Sequence, residues 1–224
     1  MNLQDKAKQL RNDVLDMCVK AGTGHVSSCF SCVEVMVELF YKTMRPQDKF
    51  ILSKGQASPL LYAILADKGF IPPESLDTFC QPEGMLGVHL DHHIPGALIT
   101  SGSLGIGLGI GIGMAMANPD SNIYVLMGDG ECQEGSVWEA AMFIGQHPLK
   151  NLKIIVDNNG WGVIGQTMPA EQLRKVWEAF GCEVTVLETI KGKGISFMEN
   201  NPSEWHGLAP QGEEARIAKD EIAA

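Results

Sequence analysis

Asp129 and Asn159 are the two side chains whose types and placing point most directly to chemistry. Each follows an apolar run: Ile123 to Met127 leads into Gly128-Asp129-Gly130, and Leu152 to Val156 leads into Asp157-Asn158-Asn159-Gly160. An acidic oxygen and an amide oxygen on the ends of neighbouring strands, about 4.8 Å apart, can grip one hard cation. The phosphates of a ligand would fill the remaining positions. A lone aspartate after a strand is most often a turn residue or a helix cap; the pairing of two such loops is what favours a cation.

For the pair to meet, the elements between them must form a βαβ unit. Gly135 to Gln146 is long enough for a helix, so strand, helix and strand place the two strands parallel and both polar loops at the carboxyl end of one sheet. Open α/β sheets bind ligands at that end. The expected fold class is therefore α/β, an open and mostly parallel sheet flanked by helices.

Upstream, Leu3, Ala7, Leu10, Val14 and Met17 follow helical spacing, and Gly22 to Gly24 ends that helix. Ser31-Cys-Val-Glu34 reads as a capping box that opens a second helix running to about Lys42. Phe50 to Ser53 reads as a short strand, residues 57 to 68 as a helix, and Pro72 to Ser75 as the start of a short helix. Six glycines between 102 and 113 are poor helix formers one by one. They suit a helix lying close to another helix or to a ligand, and both readings stand. The strict dinucleotide fingerprint and the P-loop pattern are absent from this run. After the βαβ unit come a helix at 171 to 180, a strand at 182 to 187, a loop at 191 to 194 and a polar helical tail from Glu213. No repeat and no linker divides the chain, so one domain over 1–224 is expected.

A net charge of −10 argues against nucleic acid or an anionic membrane as the main partner. The polar N-terminus has no apolar signal core, and the 14-residue apolar stretch from Leu104 to Ala117 is too short to span a bilayer. The expected compartment is the cytoplasm. The six cysteines read as reduced thiols, Cys29 and Cys32 included, with packing roles. His92, His93, Lys191 and Lys193 read as solvated loop residues.

The ordered set Gly24-His25, FILSKGQASPLLYAILADKGF, the His89 loop, SGSLGIGLG, GDGECQEG, VDNNGWGVIG, KGKGISF and WHG resembles the diphosphate-binding N-terminal part of transketolase. The resemblance covers nearly the whole chain and implies the thiamine diphosphate-binding fold. It implies Mg²⁺ or Ca²⁺ on Asp129, Asn159 and the backbone carbonyl of Trp161. Ser103, Leu104 and Gly130 would line the thiamine diphosphate site, with Asn159 beside it, and Glu134 would face a partner's half of the active site. His25, His89 and His206 match histidines around the reacting carbon and the substrate hydroxyls; neutral imidazoles pass protons near neutral pH.

The family's activating glutamate lies in a pyrimidine-binding domain that this sequence lacks. A two-component transketolase is therefore expected. Its partner subunit would carry the pyrimidine-binding and C-terminal domains, and two copies of each chain would form a heterotetramer. Two departures stand out. Gln56 replaces a histidine that contacts the cofactor diphosphate in the family, which keeps a hydrogen-bond donor but no charge. The chain also passes from Phe180 to Leu187 without the family's intervening loop, helix and strand, so the sheet is expected to be narrower. Small-molecule ketol transfer from a ketose to an aldose is the leading expectation. The alternatives are another thiamine-dependent acyl or acyloin transfer or decarboxylation, and a non-catalytic scaffold role. His25 and His89 favour ketol transfer, and intact Asp129, Glu134 and Asn159 weigh against a scaffold.

Overall fold

The first helix shows how local sequence sets the architecture. α1 (Leu3–Ala21) starts where the Asn2 side chain accepts from the Gln4 backbone N–H at 3.0 Å, and it stops at Gly22, whose φ of 69° suits a residue without Cβ. Its apolar stripe, including Ala7, Leu10, Val14 and Met17, is buried. In the computed structural model, which describes residues 2–223, backbone contacts group the chain into two interleaved units. One holds the residues up to 44, 56–100 and those from 190 onward; the other holds 45–55 and 101–189.

In the first unit, α1 is followed by α2 (Val26–Phe30) and α3 (Val33–Glu38), which runs into a π turn at Leu39–Thr43. The continuous helix from Ser31 is not formed. Ser31 has helical φ and ψ of −64° and −29°, so it closes α2 and cannot adopt the extended backbone of an N-cap. Its hydroxyl donates to the Ser28 carbonyl at 3.1 Å, and α3 starts at Cys32 without a side-chain cap. α4 (Ser58–Asp67) is buried through Ala66, and a 3-10 turn at Pro73–Thr78 stands where a short helix was expected.

The second unit is built on four parallel strands: β1 (Lys49–Leu52), β2 (Ile123–Gly128), β3 (Leu152–Asn158) and, after a small hairpin, the last of the chain. The hairpin pairs β4 (Trp161–Gly162) with β5 (Gly165–Gln166), and the last strand is β6 (Val184–Glu188). The sheet order is β1-β2-β3-β6. β2 is buried along its whole length, as a central parallel strand must be. Its register sets Gly128 beside Asp157, so the two polar loops leave the sheet side by side, as the sequence implied. Three helices serve this unit: α5 (Ile106–Ala117), α6 (Gly135–Gln146), which joins β2 to β3, and α7 (Ala170–Ala179), which precedes β6. The first unit is completed by α8 (Ser196–Asn200), which the sequence pattern did not predict, and α9 (Gly212–Ala223), which packs on α1.

All six cysteines are free thiols. Cys29 Sγ donates to the Gln56 carbonyl and Cys32 Sγ to the Ser28 and Cys29 carbonyls. Burial pushes the Cys18 and Cys132 thiols far up, which keeps them inert.

The glycines of α5 divide by face. A Cβ on Gly107 would lie 2.5 Å from Ser53 Cβ and 3.0 Å from Ser53 Cα, and one on Gly111 would lie 2.6 Å from Val125 Cγ2. The close approach is thus to the sheet. A Cβ on Gly109 or Gly113 would meet nothing within 4 Å. Gly107→Ala is therefore expected to destabilise the chain by about 1–3 kcal/mol in urea denaturation, because overpacking outweighs alanine's helix propensity. Gly109→Ala, with open space, should stabilise it by up to about 1 kcal/mol. Equal effects at the two positions would contradict this division of faces.

Candidate active site

The GDG turn and the Asn159 loop meet through Asp129. Its Oδ1 accepts from Gly130 N at 2.9 Å, while Oδ2 accepts from Gly160 N at 2.7 Å and Thr167 Oγ1 at 2.5 Å. Asn159 Oδ1 accepts from Trp161 N at 3.1 Å. Gly160 has a φ of 83°, a backbone state that only glycine adopts freely, and it lets the loop turn back on Asp129. Both side chains are buried, Asp129 at 4% and Asn159 at 9% exposure. Burial pushes the Asp129 carboxyl up, against the Thr167 hydrogen bond, the Lys54 charge and the two glycine amides, which pull it down. A carboxylate and an amide oxygen converging from two loops form the hard-oxygen donor set that Mg²⁺ or Ca²⁺ prefers. A diphosphate group fits beside them. The Ser101 hydroxyl is buried without a hydrogen-bond partner among the described residues, on a loop whose backbone packs against Gly55. An orphaned buried hydroxyl is costly unless a polar ligand completes it.

Two more carboxylates sit beneath this loop pair, and neither stood out in the sequence. Glu131 Oε1 accepts from Ser53 Oγ at 2.5 Å and Gly105 N at 2.8 Å, and Oε2 accepts from Gly128 N at 3.3 Å. One side chain thereby ties the ends of β1 and β2 to the start of α5. Asp157, fully buried, pairs with Lys54 and accepts from the Thr189 hydroxyl. Glu131 lies inside the GDGECQEG motif and Lys54 inside Ser53-Lys-Gly-Gln56. Their burial depends on which strands are neighbours, and local spacing does not carry that.

The other expected residues of this unit lie on the same loops. Ser103 is exposed and Leu104 half-buried on the segment entering α5, Gly130 follows Asp129, and exposed Glu134 caps α6. The Ser136 hydroxyl donates to the Gly105 carbonyl at 3.1 Å, fastening that segment to α6.

In the first unit the three predicted histidines come together. The His25 ring centre lies 5.5 Å from that of His89 and 6.0 Å from that of His206. Gly24, at φ 132°, sets His25 at the head of α2, where a Cβ would strike Cys18 Sγ at 2.5 Å. Tyr62 Oη donates to the Gly87 and His89 carbonyls at 3.0 and 2.8 Å, fixing the His89 loop. Ser27 Oγ donates to the Trp205 carbonyl at 2.6 Å, which draws His206 towards α2. Lys191, expected in solvent, is buried at 2% exposure with its Nζ 2.6 Å from His206 Nδ1. That ammonium donates to Nδ1, so His206 presents Nε2–H outward. Lys193 is half-exposed and pairs with Glu34 at 3.3 Å. Gln56, half-buried, belongs to this unit as well, and its backbone carbonyl accepts from Cys29 Sγ at 3.6 Å.

Residues 3–201 match the family model described as transketolase, thiamine diphosphate binding domain. The chain is 34% identical to the first of the named subunits of the apulose-4-phosphate transketolase of Phocaeicola vulgatus, over 99% of this chain and 94% of the relative. It is 36% identical to the 6-deoxy-6-sulfo-D-fructose transketolase subunit SqwG of a Clostridium species, over 89% and 88%. Against the transketolase of Homo sapiens it is 35% identical over 92% of this chain but only 39% of that one. The structure of Campylobacter jejuni transketolase superposes with a TM-score of 0.85 at 27% identity, covering 100% of this chain and 43% of that chain. The Leishmania mexicana enzyme, at 22% identity, shares the fold with a TM-score of 0.90 and 41% of its chain covered. Fold and matches together define a thiamine diphosphate-binding α/β chain of the transferase class. The chain belongs to the transketolase family, as its diphosphate-binding part.

Lys54→Met would leave Asp157 as an uncompensated buried charge. A loss of about 3–5 kcal/mol in chemical denaturation is expected. The double variant Lys54→Met with Asp157→Asn should lose clearly less than the sum of the two single changes. Additive losses would mean that the two side chains do not act as a pair.

Proposed function

We propose that the chain is the N-terminal, diphosphate-binding subunit of a two-component transketolase, moving a two-carbon ketol unit from a ketose to an aldehyde or aldose. The observation that carries this reading is one of extent. The chain matches almost the full length of two proteins named as transketolase subunits but only about two fifths of the single-chain enzymes. The partner would bear the pyrimidine-binding and C-terminal domains, and two copies of each chain would close the assembly. An exposed apolar face supports a partner. Ile106 on α5 and Met142 and Phe143 on α6 are exposed, and Ile106 and Phe143 line a groove of about 410 Å³ between these helices. In this reading the chain is one domain in the family's sense, its two backbone units working together. Among the described residues no helix is long and apolar enough to cross a membrane. The proposed setting is the cytoplasm.

Bound thiamine diphosphate would supply the nucleophilic carbon that accepts the ketol unit. Asp129, Asn159 and the Trp161 carbonyl would hold a Mg²⁺ or Ca²⁺ ion against its diphosphate. Gly130, Ser103, Leu104 and Gln56 would line the cofactor, and Glu134 would face the partner. His25, His89 and His206 would hold substrate hydroxyls and move their protons. The Lys191 contact keeps His206 in the tautomer that donates from Nε2. Clustered imidazoles suit a polyhydroxylated substrate better than a plain 2-keto acid.

The purified chain alone should show no ketol transfer from a ketose phosphate to an aldose, and addition of a pyrimidine-domain partner should restore it. Turnover by the single chain would overturn the two-component reading. Asp129→Ala should weaken thiamine diphosphate binding to the two-chain complex at least about tenfold by calorimetry, since it removes the charged ligand of the cation. Unchanged affinity would move the cation site elsewhere.

A further inference from the structure

The loop leading from His89 to Thr100 carries a cluster that the proposed reaction leaves unused. Asp91, His92 and His93 each offer a ligand atom, and these atoms lie within 4.8 Å of one another. Asp91 Oδ1 is 2.6 Å from His93 Nδ1 and 3.6 Å from His92 Nδ1. The two imidazole centres are 3.9 Å apart, tilted by 41°. Consecutive residues thus turn three donors towards one point, and the loop holds them there. The His93 backbone N–H donates to Asp91 Oδ1 at 2.8 Å, and the His92 backbone N–H donates to Thr100 Oγ1 at 3.1 Å.

Tetrahedral zinc, with bonds of about 2.0–2.2 Å, separates its donors by about 3.3 Å. The two Asp91 distances bracket that value, so small rotations about the side-chain bonds would complete the site. An exposed carboxylate–imidazole pair contributes little to stability by itself. The approach of a second imidazole to the same oxygen is what points to a cation.

We propose that Asp91, His92 and His93 form a surface site for a divalent transition metal, zinc being the simplest occupant, with water in the fourth position. The metal takes the place of the proton between Asp91 Oδ1 and His93 Nδ1. It accepts the His92 Nδ1 lone pair that now faces the Thr100 hydroxyl at 2.8 Å. Two imidazoles and one carboxylate select zinc, cobalt or nickel over Mg²⁺ and Ca²⁺, which prefer all-oxygen sites such as that of Asp129 and Asn159. Because Asp91 lies two residues after His89, an occupied site would also pin the loop that presents that histidine. The proposal does not depend on the ketol-transfer reading.

The test uses the full chain, stripped with a chelator, dialysed and titrated with zinc chloride against a chromophoric competitor. One equivalent should bind. His92→Ala, His93→Ala and Asp91→Asn should each weaken binding at least about tenfold, since losing a direct ligand exceeds the effect of losing an outer partner. Cys80→Ser and Asp129→Ala should leave it unchanged. Cobalt(II) in place of zinc should give visible bands without thiolate charge transfer. Failure of the chain to bind zinc, undiminished binding in the histidine variants, or a thiolate signature with cobalt would each overturn the site.

Discussion

Three carboxylates, those of Asp129, Glu131 and Asp157, are buried at the carboxyl edge of one parallel sheet, and most of the second unit is arranged to tolerate them. Removing a carboxylate from water is unfavourable by several kcal/mol unless charge or hydrogen bonds replace the lost hydration. The replacements are specific. Lys54 pairs with Asp157 and lowers the carboxyls of Asp129 and Glu131 through space. Backbone N–H groups of Gly105, Gly128, Gly130 and Gly160 supply the rest. Glycine lets these amides approach a carboxylate closely, and Gly105 and Gly160 also take positive φ. The glycine-rich motifs are in this sense the solvation shell of the acidic residues. A divalent cation bound by Asp129 would add to the same compensation, which ties cofactor loading to stability in the proposed function.

The compensation also explains the connectivity. Glu131 alone links the end of β1, the end of β2 and the entrance to α5. These segments are far apart in sequence, so the turn of Gly128 to Glu131 acts as a clasp as well as a ligand loop. The same economy holds in the first unit, where Ser27 binds the Trp205 carbonyl through its hydroxyl and Gly192 N through its own carbonyl. Two bonds at one residue draw the Lys191 turn and the His206 segment to the helix headed by His25.

What the sequence made legible follows from range. The βαβ unit was readable because its apolar runs, its crossover helix and its polar loops lie within about forty consecutive residues, and parallel pairing follows from the connection length. The histidine cluster was readable only through the resemblance, because His25, His89 and His206 share no local pattern. The burial of Lys54 and Lys191 was not readable. A lysine reads as solvated unless its neighbours in space are known, and those neighbours are Asp157 and His206. The Ser31 capping box failed for the opposite reason. The local pattern was present, but α2 had already claimed Ser31 as its last turn.

The α5 glycines mark where the physics of this chain alone stops accounting for the sequence. Gly107 and Gly111 are explained by contact with Ser53 and Val125, since no side chain fits there. Gly109 and Gly113 face open space, and each weakens the helix by about 0.8–1.0 kcal/mol relative to alanine with no contact in return. Ile106 and Met116 on the same helix are exposed, so apolar surface and missing side chains coincide on α5. In a lone chain that combination is unfavourable twice over, in helix propensity and in hydration. A second chain seated on α5 and α6 removes both penalties together: its side chains fill the space above the glycines, and Ile106 and Phe143 leave water. The two-component reading therefore accounts for a pattern on this helix that the fold of the single chain leaves without a cause.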